Sequence, residues 1–271
     1  MLTAFAAIDD WPTEPVAVGV LDPDGVIHSR GPTDWVTRLA SVTKILFAYA
    51  MLVALEEGTV SLDDPIGQPG ATVRHLLAHS GGFGFDGPDP VAKPGVQRIY
   101  SNSAYELLGQ YLAARSGMAL ADYLRDAVFE PLAMTATELL GSPAHQGFGN
   151  VNDLLRFAVE LRAPALIHES TLAEATSVQF AGLRGVLPGF GLQNPMDWGL
   201  GFELRDAKSP HWMGTQASAG SFGHFGGSGT YFFVDPKTQV AVACLTDHEF
   251  GPWAVSAWPA LNDAIIAEVG A

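Results

Sequence analysis

The period of hydrophobic and polar positions changes twice along the chain. Val16-Ala-Val-Gly-Val-Leu21 is a β-branched run closed by the turn signal Asp22-Pro-Asp-Gly25 and followed by Val26-Ile-His-Ser, which predicts a hairpin. From Ser41 to Glu57 glycine and proline disappear and good helix formers take over. Inside that stretch Ile45 to Leu55 is apolar on all sides, so the predicted helix must be buried all round. Helical patterning continues at 72–79, 102–116, 119–129, 151–162 and 170–178. Two segments rich in glycine and proline, 81–95 and 181–195, interrupt it and predict long loops of the kind that often carry function. Strand patterning then returns. Gly229–Val234, the turn Asp235-Pro-Lys-Thr238 and Gln239–Leu245 predict a second hairpin. A last helix is predicted over Trp258–Val269, with Pro259 in its first turn, where proline is tolerated.

The order strands, helices, strands, helix predicts an α/β protein of the α+β kind. One antiparallel sheet would be assembled from both chain ends and flanked by helices, with an all-helical insertion between. The expected division is a sheet part, 1–39 and 196–271, and a helical part, 40–195, with the site in the cleft between them.

Charge narrows the function. The chain has 271 residues, 14 basic and 29 acidic, for a formal net charge of −15. Nucleic acid and anionic membranes are therefore excluded as expected partners, since both need clustered Lys and Arg. Cys244 is the only cysteine, which rules out a disulfide within the chain. It lies in the apolar run Val240-Ala-Val-Ala-Cys-Leu245 and reads as a buried structural thiol. The first ten residues contain no basic residue and the longest apolar run is too short for a bilayer, so the expectation is a soluble, cytoplasmic protein. The lysines are only Lys44, Lys93, Lys208 and Lys237, and the last three are expected at turns or loops where an ammonium is easily solvated.

Three short motifs carry candidate chemistry. Ser41-Val-Thr-Lys44 opens the buried helix, and residues three apart share a helix face, so a hydroxyl and an ammonium can meet there. Serine needs a base to become a nucleophile, and a lysine in a low-dielectric site can have a depressed pKa. The simpler alternative makes Ser41 a helix cap and sends Lys44 to solvent. Tyr100-Ser-Asn102 precedes a helical stretch: a phenol can shuttle protons and an amide can hold a substrate carbonyl, or Asn102 caps the helix. His224-Phe-Gly-Gly-Ser-Gly229 leads into a strand, where glycine permits close approach and backbone N–H groups can hold an oxyanion.

Taken together and in this order, the three motifs resemble those of the serine β-lactamase and penicillin-binding-protein superfamily: S-x-x-K, Y-x-N and H/K-x-G. The similarity is nearest to its class C branch with its D,D-peptidases and esterases. Leu62-Asp-Asp-Pro65, Val73-Arg-His-Leu-Leu-Ala-His-Ser-Gly81, Pro94-Gly95, Pro131-Leu-Ala-Met134 and Trp198-Gly-Leu-Gly-Phe202 also look like the family, so the resemblance runs from about residue 15 to residue 250. It implies the β-lactamase/transpeptidase-like fold and an acyl-enzyme mechanism. Ser41 would be the nucleophile, Lys44 and Tyr100 a coupled pair that handles its proton, and Asn102, His224 and Gly226 the substrate-binding set. The backbone N–H groups of Ser41 and Gly227 would form the oxyanion hole. No metal and no cofactor is expected, and the expected partner is a small ester or amide. A D-amino-acid peptidase, a weak β-lactamase and a catalytically idle binding protein of the same fold stay open. Histidine at 224, where the lactamases carry lysine, implies a weaker hold on a substrate carboxylate. Phe83, Phe85, Phe190 and Trp198 are candidate cleft walls.

Other patterns carry less. Gly82-Phe-Gly-Phe-Asp-Gly87 matches G-x-G-x-x-G but opens no helix, and His75 and His79 lack the glutamate of a zinc-protease helix. Gly226-Gly-Ser-Gly229 is not G-x-S-x-G, and Asp63-Asp64 reads as a surface turn.

Overall fold

The computed structural model describes residues 1–270. Regular elements run in the order β1 (Val16–Leu21), β2 (Ile27–Arg30), β3 (Thr37–Arg38), α1 (Thr43–Glu56), α2 (Val73–Leu77), α3 (Asn102–Ser116) and α4 (Leu120–Leu124). They continue with β4 (Glu138–Leu139), β5 (Gly147–Gly149), α5 (Val151–Arg162), α6 (Glu169–Ala175), β6 (Gly185–Leu187) and β7 (Gly191–Gln193). The last are β8 (Glu203–Leu204), β9 (Phe222–Gly226), β10 (Thr230–Asp235), β11 (Val240–Thr246) and α7 (Pro252–Val269).

The main sheet has the strand order β2-β1-β11-β10-β9-β8, antiparallel throughout. It is built from both chain ends: Val18 pairs with Cys244 across β1 and β11. Alternation of side chains splits it between two cores. Phe232, Val234, Ala241 and Ala243 join α1, α3 and α5 on one face, while Tyr231, Phe233, Val242 and Cys244 join Trp258, Leu261 and Ile265 of α7 on the other. Helix α5 rides directly on β1, because a Cβ at Gly19 would lie 2.6 Å from Val151 and 2.7 Å from Leu155. Cys244 is wholly buried, and burial pushes its thiol up, so it stays protonated and inert.

Helix α1 is buried as its pattern requires, with every residue from Thr43 to Leu52 inside. Among the described residues no helix is long and apolar enough to cross a membrane.

Several expectations need correction. Helix α7 begins at Pro252, six residues before the predicted start, so Pro259 lies inside the helix and Pro252 is the proline of the first turn. Segment 181–195 is not only loop, because β6 and β7 pair within it. An unforeseen 3₁₀ helix, Thr3–Asp10, packs Phe5 and Ile8 into the α7 core, and Glu268 accepts from the N–H groups of Thr3 and Ala4.

The chain just before α1 is clamped to the sheet. Thr230 Oγ1 donates to the Leu39 carbonyl at 2.9 Å, and Ser228 Oγ donates to the Arg38 carbonyl at 2.8 Å. Ala40 takes a left-handed φ of 45°, a conformation alanine adopts only under constraint from its surroundings. Gly226 permits this approach: a Cβ there would stand 2.6 Å from the Leu39 carbonyl oxygen and 3.0 Å from the Ala40 Cβ. Replacing Gly226 by alanine is therefore expected to push the 39–41 turn off β9 and to cost ~1–3 kcal/mol, read as a lower urea midpoint. An unchanged midpoint would show that the turn yields freely.

Candidate active site

Ser41 stands in the 3₁₀ turn Ala40–Val42, with α1 continuing at Thr43. It is not the side-chain cap of α1, and its N–H belongs to the group a helix start leaves without intrahelical acceptors. Lys44 points into the protein and is fully buried. Its Nζ lies 3.4 Å from Ser41 Oγ, 2.7 Å from Asn102 Oδ1 and 2.8 Å from the Ala144 carbonyl oxygen. It sits over the ring of Tyr100, 4.6 Å from the centroid. Burial drives the Lys44 pKa well down, with Asp86 and Glu106 pulling the other way.

Tyr100 is in the extended segment before α3, and its phenol oxygen is buried without a hydrogen-bond partner among the described residues. Burial pushes the phenol up, opposed by the Ser41 hydroxyl beside it. The helix cap is Ser101, whose Oγ accepts from Ala104 N–H at 3.0 Å; Asn102 is the first helical residue and is not the cap. Both ends of its amide are engaged, Oδ1 by Lys44 and Nδ2 by donation to Asp86 at 3.1 Å.

On β9, His224 is opposite Phe232, on the face that turns toward α1. Gly226 packs under the 39–41 turn, and Gly227 makes no hydrogen bond through its N–H among the described residues. Ser41, Tyr100, His224 and Gly227 share one cleft of about 170 Å³, whose other walls are Phe85, Leu187, Pro188, Met196, Trp198, Glu203, Phe225 and Phe250. Of the four aromatic wall candidates, Phe85 and Trp198 line it, while Phe83 and Phe190 belong to the cores. Asn102 and Gly226 are not among the residues that wall it; Asn102 lines a neighbouring pocket with Asp86, Glu106 and His145.

The family model described as Beta-lactamase matches residues 14–265. The chain belongs to the beta-lactamase family. A solved structure described as a beta-lactamase (Mb2281c) from Mycobacterium bovis is similar over 99% of this chain and all of that one, at 47% identity and a TM-score of 0.97. Esterase EstB of Burkholderia gladioli is 24% identical, covering 86% of this chain and 83% of EstB. AmpH of Escherichia coli, a D-alanyl-D-alanine-carboxypeptidase/endopeptidase, is 29% identical over 42% of this chain, a match that spans only 39% of AmpH.

Behind the cleft of this beta-lactamase-family protein lies a charged cluster that the motifs do not mark. Glu203 has no exposed surface. Its carboxylate accepts from Lys208 Nζ at 3.3 Å and Trp212 Nε1 at 2.8 Å, and meets His211 Nε2 at 2.9 Å. Lys208 also donates to the Asp197 carbonyl at 2.9 Å and to the Leu204 carbonyl. The expectation for Lys208 is thus overturned: it is 3% exposed, whereas Lys93 and Lys237 are at the surface. Its loop folds back, so the ammonium finds a carboxylate and two carbonyls in place of water. The signal available in the sequence was Glu203 itself, an acid following the apolar text Trp198-Gly-Leu-Gly-Phe202.

Burial raises the Glu203 pKa, but Lys208, His211 and Trp212 outweigh it and hold the carboxyl at about 2. A depressed acid stabilises the fold above its unfolded pKa and loses that contribution as pH falls through the folded one. Acid unfolding is therefore expected to show a component between about pH 4.5 and 2 that disappears in Glu203→Gln. At neutral pH that variant should lose ~3–5 kcal/mol, because the Lys208 ammonium stays buried without its counter-charge. Denaturant melts across pH test both statements, and a pH profile shared with the native protein would refute the first.

Proposed function

We propose that the protein is a serine hydrolase that takes the acyl part of a small, uncharged ester or amide onto Ser41 and then passes it to water. The observation that carries this reading is a fully buried Lys44 amine 3.4 Å from the Ser41 hydroxyl. Burial pushes lysine toward the neutral amine and Tyr100 toward the neutral phenol, so Lys44 is the better placed acceptor for the serine proton. As Ser41 Oγ bonds to the substrate carbonyl carbon, its proton moves to Lys44. The carbonyl oxygen takes up the charge between the N–H groups of Ser41 and Gly227. The Tyr100 phenol gives its proton to the departing oxygen or nitrogen and regains one from Lys44. Water then attacks the acyl-enzyme by the reverse route. Asn102 acts through Lys44, as a positioning residue.

The mostly apolar walls of the cleft that holds Ser41 favour an ester over a charged peptide, in keeping with the esterase among the relatives. A β-lactamase is the second reading, favoured by the 47% identity to the Mycobacterium bovis beta-lactamase. A fluorophosphonate probe read by intact mass decides between catalysis and an idle fold. One adduct per chain is expected for the native protein and none for Ser41→Ala; absence of any adduct would overturn the reading. Lys44→Met should lower kcat/KM on p-nitrophenyl esters by ~10³–10⁴ while the fold persists. Nitrocefin turnover matching ester turnover would move the assignment to the second reading.

A further inference from the structure

The side chain that departs most from the resemblance also has the least ordinary hydrogen bonding. His224 Nδ1 lies 2.6 Å from the Phe225 carbonyl oxygen. A carbonyl only accepts, so Nδ1 carries the hydrogen and the tautomer is fixed. The other nitrogen, Nε2, is buried and has no partner among the described residues. The ring is 3% exposed and is walled by Tyr100 and Trp198, with ring centroids 5.5 and 5.6 Å away.

The ionisable groups acting on His224 are Lys44 from α1, Glu203 from β8 and His79, which follows α2 and lies against the Tyr100 ring at a tilt. Burial, then Lys44, lowers its pKa, and Glu203 and the Phe225 carbonyl offset only part of this, leaving it at about 4. At neutral pH the ring is uncharged, and Nε2 keeps an unshared lone pair on a side chain that walls the cleft. The same cleft is walled by Trp198, whose Nε1–H is also without a partner among the described residues, and by Glu203, whose carboxylate is buried and held by Lys208, His211 and Trp212. The amine nearest the site, Lys44, is already committed to Asn102 and the Ala144 carbonyl. A substrate carboxylate would meet a lone pair there and, among the described residues, no uncommitted cation. An O–H or N–H group would meet the acceptor it needs.

Resting on the serine-hydrolase reading, we propose that His224 is a specificity-determining residue that accepts a hydrogen bond from a hydroxyl or amide N–H of an uncharged substrate and turns carboxylates away. The residue that replaces a lysine is then not a weak cation; it presents the opposite hydrogen-bonding sense. The free Trp198 Nε1–H and Tyr100 phenol beside it supply donors, so the preferred substrate carries both a donor and an acceptor close to the scissile bond. Hydroxy esters and hydroxy or primary amides have that pattern, and the apolar walls accept the rest of the molecule.

Three isosteric substrates test this: phenyl acetates bearing a meta-hydroxymethyl, meta-methyl or meta-carboxylate group. With the native enzyme, kcat/KM should fall in that order by at least ~10-fold from the first to the last. His224→Phe should erase the advantage of hydroxymethyl over methyl. His224→Lys should raise the carboxylate substrate relative to methyl by ~10-fold or more. Native preference for the carboxylate, or ratios unmoved by both variants, would overturn the proposal. A second measurement does not need turnover. In ¹⁵N-histidine-labelled Ser41→Ala protein at pH 7, Nε2 of His224 should resonate as an unprotonated nitrogen and shift on adding the hydroxymethyl ester but not the carboxylate. A protonated Nε2 sinks the proposal by itself. Should native protein fail to take the fluorophosphonate while the nitrogen behaves as stated, the hydrolase reading falls and the acceptor role stands.

Discussion

A lysine amine sealed from water must find every hydrogen-bond partner in the protein, and Lys44 gathers its partners from far along the chain. Asn102 lies 58 residues away in sequence and the Ala144 carbonyl 100. Each partner fixes a different part of the architecture. Asn102 brings the start of α3 against the start of α1, and Ala144 brings in the turn before β5. Desolvating the ammonium is costly without these acceptors. Removing water is also what shifts lysine from a surface charge toward a base. One constraint therefore sets the positions of three chain segments around the Ser41 hydroxyl.

The sheet closes the arrangement from the other side. The hairpin of β9 and β10 holds the Leu39 and Arg38 carbonyls through Thr230 and Ser228, and Gly226 lets the backbone turn settle on it. Ser41 thus sits between the start of α1, which carries Lys44, and the end of β9, where the Gly227 N–H has no partner among the described residues. Neither face of the sheet could spare this fit, since the alternate residues of β10 and β11 are already committed to separate cores.

Much of this was legible in the sequence, for identifiable reasons. Ser41, Lys44 and Tyr100 stand out because their chemistry needs fixed spacing, and α1 because eleven apolar residues admit no surface-helix reading. Both hairpins showed their turns. The Glu203 cluster did not, because Lys208 and His211 come from an irregular loop whose path depends on the pairing of β8 with β9. The start of α7 is hidden because Pro259 reads as a first-turn proline, while the one that opens the helix, Pro252, directly follows Gly251. For Asn102 spacing gives proximity but not direction; the folded structure adds that its amide meets Lys44 and Asp86.

The pairing of β1 with β11 has a consequence for the order of events in the cell. Residues 16–21 wait for residues 240–246, and the strand that completes the cleft, 222–226, is also made late. During synthesis the hydroxyl, the amine and the phenol emerge long before the edge that would complete their setting. A domain of such high sequence separation folds as a late, cooperative event. A product truncated before β9 would therefore carry Ser41, Lys44 and Tyr100 without the strand that walls their cleft.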